Sequence, residues 1–154
     1  MTELVALVGT PESLRGGAAA VPFVELAQGF VLVPVGEPAR DAVGAALADD
    51  PDAAADLSRF LAITLGSVGL SEDAAASGPI AYLELDEYQQ SGFVVEGGGV
   101  VDSWVTSFDG AQSQTPEGEW AFNRALRRLG VRAGDGADEC AAVGLTRYLA
   151  DLDA

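Results

Sequence analysis

The chain has 154 residues, 24 Asp and Glu against 8 Lys and Arg, a net charge of −16 and no histidine. It is 49% hydrophobic and 21% charged, which suits one globular domain over residues 1–154 and argues against disorder. All the basic residues are arginine, and so large an excess of carboxylates repels phosphate, which disfavours nucleic acid and anionic membrane surfaces as partners.

Cys140 is the lone cysteine, so no intrachain disulfide forms and a reducing compartment is expected. The stretch from Met1 to Thr10 lacks the basic region and long apolar run of a signal peptide, and no segment reaches about 18 uninterrupted apolar residues. These features predict a soluble cytoplasmic protein. The acidity has two readings. A GC-rich genome or a salt-adapted cytoplasm produces it without function; alternatively, it steers the chain toward a basic partner.

In chain order, Thr2 to Val8 reads as a strand, closed by the turn signal Thr10-Pro11-Glu12-Ser13. Phe23 to Ala27 and Phe30 to Val35 flank Gln28-Gly29 and read as a hairpin, with Pro34 marking a strand end or an edge. Helices are expected from Pro38 to Ala48 and from Ala53 to Leu65, then a Gly- and Ser-rich loop to Gly78. Ile80 to Asp86 alternates, with Leu83 and Leu85 on one face and Tyr82, Glu84 and Asp86 on the other. Phe93 to Glu96 and Val100 to Val105 surround three glycines and form a second expected hairpin. A polar loop runs from Ser107 to Gly118. Phe122, Leu126 and Leu129 mark a helix from Pro116 to Leu129, stopped by Gly130. A last helix spans Ala137 to Leu152, with a break expected at Gly144. The fold class is therefore α+β: a mostly antiparallel sheet built from two hairpins, packed by three to four helices.

Without histidine there is no Ser-His-Asp triad, no Cys-His dyad and no His-ligated zinc. The segment Gly97-Gly98-Gly99 lies between strands, so it matches neither phosphate-binding glycine pattern in context. Cys140 follows Glu139, and neighbouring negative charge blunts a thiol, so a small buried side chain is the expected role. Carboxylates remain. Glu84 and Asp86 share a strand face with Cα atoms about 6.5–7 Å apart, a spacing compatible with acid–base work or an oxygen-ligand cation, and equally with plain solvated carboxylates. Arg124, Arg127, Arg128 and Arg132 hold half of the positive charge and are expected to favour the helix dipole and pair with carboxylates.

Gly78-Pro79-Ile80-Ala81-Tyr82-Leu83-Glu84, then the helix ending Ala125-Leu126-Arg127-Arg128-Leu129-Gly130-Val131, then Asp138-Glu139-Cys140 with Gly144-Leu145, form a joint pattern over residues 78–147. The pattern resembles that of a family of small, uncharacterised actinobacterial proteins, with Cys140 where the family pattern has an aromatic residue. The resemblance implies no activity. In general character the chain is also similar to immunity proteins, which are small acidic α+β domains.

These features favour a non-catalytic acidic protein-binding module, with an immunity-type inhibitor of a basic toxin as its specific form. The expected partner is a protein with a basic surface, and the candidate contact residues are Tyr82, Glu84, Asp86, Glu87, Tyr88 and Trp104, since aromatic residues beside carboxylates make good interface anchors. No cofactor, metal site or catalytic residue is assigned. Two alternatives stand: a carboxylate- and Mg-dependent enzyme centred on Glu84 and Asp86, and a structural or assembly subunit.

Overall fold

Leu4–Gly9 (β1) is apolar along its whole length, and every one of its residues is buried. A strand with that composition belongs where both faces of a sheet are covered. The computed structural model, which describes residues 4–14, 23–35, 78–96, 99–109, 113–134 and 138–152, places it so. β1 lies between Val31–Pro34 (β3) and Ile80–Leu85 (β4), antiparallel to both. Val24–Glu25 (β2) closes one margin beside β3. Gln89–Glu96 (β5) and Gly99–Ser107 (β6) extend the sheet beyond β4 in an antiparallel meander. Among the described residues, the result is one six-stranded sheet in the order β2-β3-β1-β4-β5-β6.

The fold is thus α+β with an antiparallel sheet. A description by two hairpins is too simple, because β1 stitches the β2–β3 pair to the β4–β5–β6 meander. The helices expected over residues 38–48 and 53–65 lie outside the described residues, as do residues 66–77 of the expected loop and the Gly97-Gly98 part of the reversal.

Among the described residues, three helices follow the sheet: Ala121–Leu129 (α1), Glu139–Val143 (α2) and Leu145–Leu152 (α3). The expected Pro116–Leu129 helix begins five residues later, after a 3-10 turn at Glu117–Glu119. The last expected helix is indeed divided at Gly144. Phe122, Ala125, Leu126 and Leu129 of α1 join Leu4, Ala6, Val8, Leu32, Ala81, Leu83 and Val94 of the sheet in one core. The spacing of these α1 residues puts them on one helical stripe.

Two features let α1 lie close on the sheet. Gly92 of β5 sits directly beneath it; a methyl group there would meet Ala125 Cβ at 3.2 Å and the Ala121 carbonyl oxygen at 3.3 Å. The helix also has no side-chain cap of its own. Two buried sheet residues cap it instead: Thr106 Oγ1 accepts from the Ala121 N–H at 2.9 Å and Gln90 Oε1 from the Phe122 N–H at 3.2 Å. First-turn N–H groups have no partner within a helix, so these bonds satisfy them and account for two polar side chains in the interior.

At its other end α1 stops at Gly130, whose φ of 100° suits glycine, and the Val131 N–H returns to the Leu126 carbonyl at 3.0 Å. The opposite sheet face is apolar too: Val5, Leu7, Val33, Ile80, Tyr82, Phe93 and Val95 are all buried.

Candidate interaction site

β4 changes character along its length. Its first four residues are buried, and Glu84 and Leu85 are half-buried as it approaches the sheet's end. Tyr82 is 2% exposed. Its ring stacks on Phe93 of the neighbouring strand, with centroids 4.7 Å apart. The sequence expectation that Tyr82 shares a surface with Glu84 and Asp86 is corrected here. The face is the same, but neighbouring strands supply Leu7, Val33 and Phe93 around Tyr82, so the alternation conceals a second buried face. The Tyr82 hydroxyl reaches outward and donates to Glu84 Oε2 at 3.2 Å.

Trp104 is on the other side altogether. It pairs with Gly92, which pairs with Leu83, and that line of side chains faces α1. Trp104 packs partly against the core, and it lines a cavity of about 330 Å³ with Asp102, Arg124, Arg127 and Arg128. Tyr82 and Trp104 therefore belong to no common contact surface with the remaining four candidates.

Those four come together at the turn between β4 and β5. The Asp86 N–H bonds to the Gln89 carbonyl at 3.0 Å, leaving Glu87 and Tyr88 as the two central residues. Asp86 Oδ1 accepts from the Tyr88 N–H at 2.7 Å and from the Gln89 N–H at 2.9 Å. A short carboxylate binding backbone two and three residues ahead is a turn-forming device. It fixes the turn and commits Asp86 to it, rather than to a paired site with Glu84. Tyr88 is held at the tip and is 69% exposed. Glu87 beside it is exposed and Glu84 half-exposed.

The turn adjoins a cleft. Phe108 donates its N–H to the Tyr88 carbonyl at 2.7 Å, which brings the end of β6 alongside. From there Val105, Ser107, Phe108, Asp109, Ser113, Gln114 and Thr115 line a shallow cleft of about 680 Å³. Its wall is stiffened by the edge-to-face contact of Phe108 with Trp120 at 4.9 Å and by the Trp120 Nε1–H bond to the Thr115 carbonyl at 2.9 Å. Sequence reading treated this segment as a polar loop. Phe108, an aromatic residue inside it, was the signal that the loop is packed.

Arg124 and Arg127 of α1 act as fasteners, Arg124 through Glu119 at 3.4 Å. Arg127 Nε donates to Glu139 Oε1 at 2.8 Å, its Nη1 to Glu119 at 3.3 Å and its Nη2 to the Gly118 carbonyl at 2.9 Å. The Glu139 bond, and then Glu119, raise the Arg127 pKa against the opposing effect of burial. Buried Asn123 adds bonds to the Glu117 carbonyl, to Asp138 and from the Cys140 N–H, while Asp138 caps α2. These bonds form a polar knot joining α1 to α2. Burial, then Asp138, Glu139 and Glu117, pushes the Cys140 thiol well above its usual pKa.

Among the described residues, no group of three or more His, Cys, Asp or Glu side chains is placed to hold a metal ion, and no helix is long and apolar enough to cross a membrane. No protein-family model, curated protein or solved structure matches the chain.

Proposed function

We propose that the chain is a non-catalytic acidic protein-binding module that docks through the β4–β5 turn onto a partner with a basic surface. The observation that supports this reading is Tyr88, held exposed at the tip of a turn whose backbone Asp86 locks. An interface anchor costs least when it is already ordered before binding, and tyrosine is enriched among residues that dominate interface energies. Glu84, Glu87 and Asp109 surround the anchor and the adjoining cleft with carboxylates, and the net charge of −16 speeds encounter with a cationic surface. The finer form of this reading is an immunity-type inhibitor, which covers the basic cleft of a toxin with this end of the sheet.

Affinity capture from source-cell lysate, at low and at moderate salt, tests the proposal. A basic protein retained at low salt, released as salt rises and not retained by Tyr88→Ala supports it. Capture that is equal for both proteins sinks it. The immunity reading makes one further demand: the captured protein is a toxin whose activity falls on binding.

A further inference from the structure

The β2–β3 hairpin reverses through Gln28 and Gly29. Both have positive φ, 60° and 82°, and the Phe30 N–H closes the turn on the Ala27 carbonyl at 3.3 Å. Positive φ at both central positions marks a type I′ turn, which favours Asn, Asp or Gly at the first of them. Gln28 is the one non-glycine with positive φ among the described residues, and a side chain in that region strains the backbone. Its amide explains why a glutamine stands there. Nε2 donates to the Arg132 carbonyl at 2.9 Å, and Oε1 accepts from the Arg132 N–H at 2.9 Å. One side-chain amide thus satisfies both backbone groups of a residue 104 positions away, as a paired strand would.

This clip ties the hairpin to the segment between α1 and α2. Among the described residues, its two bonds are the only hydrogen bonds between the hairpin and the chain beyond β6. Residues 24–27 line a cleft of about 370 Å³ together with Val143, Arg147, Tyr148 and Asp151 of α2 and α3. The clip therefore fixes how far apart the hairpin and the helices stand.

We infer that Gln28 is a releasable strap: its amide holds the hairpin onto Arg132, and letting go opens the cleft between the hairpin and α2–α3. Two properties make release easy. Both bonds are exposed, so water replaces them directly. Release also lets Gln28 leave its strained conformation. The part that opens is small. Phe30, Val131, Val143 and Leu145 belong to the main core, whereas Val24, Leu26 and Tyr148 are only partly buried against it and gain solvent first. The strap is also remote from the β4–β5 turn. The β2–β3 turn lies beyond the Gly9 end of β1 and the β4–β5 turn beyond its Leu4 end.

Amide hydrogen exchange on the full chain, read at Arg132, tests the strap, and hydroxyl-radical labelling of the Tyr148 ring tests the opening. Gln28→Ala keeps the strained turn and removes the amide; it is expected to lower Arg132 protection about tenfold, as for a net loss near that of one full hydrogen bond, and to raise Tyr148 labelling. Gln28→Gly removes the strain as well, so its loss of protection is expected to be smaller. Gln28→Glu repeats the test within one protein. At pH 7 its carboxylate has no donor for the Arg132 carbonyl; once protonated, below about pH 4, it regains one. Arg132 protection is therefore expected to be low at pH 7 and to recover in acid. Tyr88→Ala is expected to leave both readings unchanged, which separates the strap from partner binding. Arg132 protection that is the same in Gln28→Ala as in the parent, or Tyr148 labelling that stays constant while protection falls, overturns the inference.

Discussion

The centre of the sheet and its rim are built from the same residue types to opposite ends. At the centre, β1 and the first half of β4 are apolar on both faces; even a tyrosine, Tyr82, is stacked on Phe93 and closed off from solvent. At the rim, six residues further along the chain, Tyr88 stands exposed on a turn fixed by a carboxylate. The difference teaches that aromatic content on its own does not mark a docking surface. What separates the two tyrosines is whether neighbouring strands extend far enough to cover them. Substitutions at the centre should cost stability and spare any binding; substitutions at the rim should do the reverse.

The strongest test of that division is Phe122→Ala. Phe122 is fully buried under α1, and its truncation should cost about 3–5 kcal/mol in denaturant unfolding. A loss below about 1 kcal/mol would mean that α1 is not part of the same cooperative core. Arg127→Met comes next. It strands Glu139, which is 5% exposed, yet the Arg127 side chain is 47% exposed. The expected cost is therefore about 1–2 kcal/mol, below that of breaking a fully buried pair. Asp86→Ala removes two turn hydrogen bonds and should cost about 1 kcal/mol; it should also weaken binding, since Tyr88 is then less ordered. The smallest effect on folding is expected from Tyr88→Ala, within about 0.5 kcal/mol of the parent, as for other exposed positions.

Much of the fold was legible because the signals were local. Alternation located β4, and glycines at 130 and 144 marked where α1 and α2 end. The turn at Thr10 formed as expected, with Thr10 Oγ1 accepting from the Ser13 N–H. Long-range facts were not legible. Nothing in the run Leu4 to Gly9 states that it pairs with β3 and β4 at once. Nothing in Gln90 or Thr106 announces that each caps a helix some fifteen to thirty-two positions away. The candidate site divided along the same line. Asp86, Glu87 and Tyr88 are sequence neighbours and stayed together, with Glu84 close by. Tyr82 was lost to the core because its exposure depends on Phe93 and Leu7, and Trp104 was lost because β6 presents it to α1. The arginine–carboxylate contacts had been expected only as a class; that Arg127 grips Glu139 depends on how α2 folds back.

The most direct test of the account is the affinity of the captured partner for the parent chain and for Tyr88→Ala, measured side by side at low and moderate salt. The account predicts a loss of at least about 2 kcal/mol, roughly thirtyfold, for the variant, with both proteins unfolding at the same denaturant midpoint. Equal affinities for the two proteins would contradict it and move the docking surface away from the β4–β5 turn.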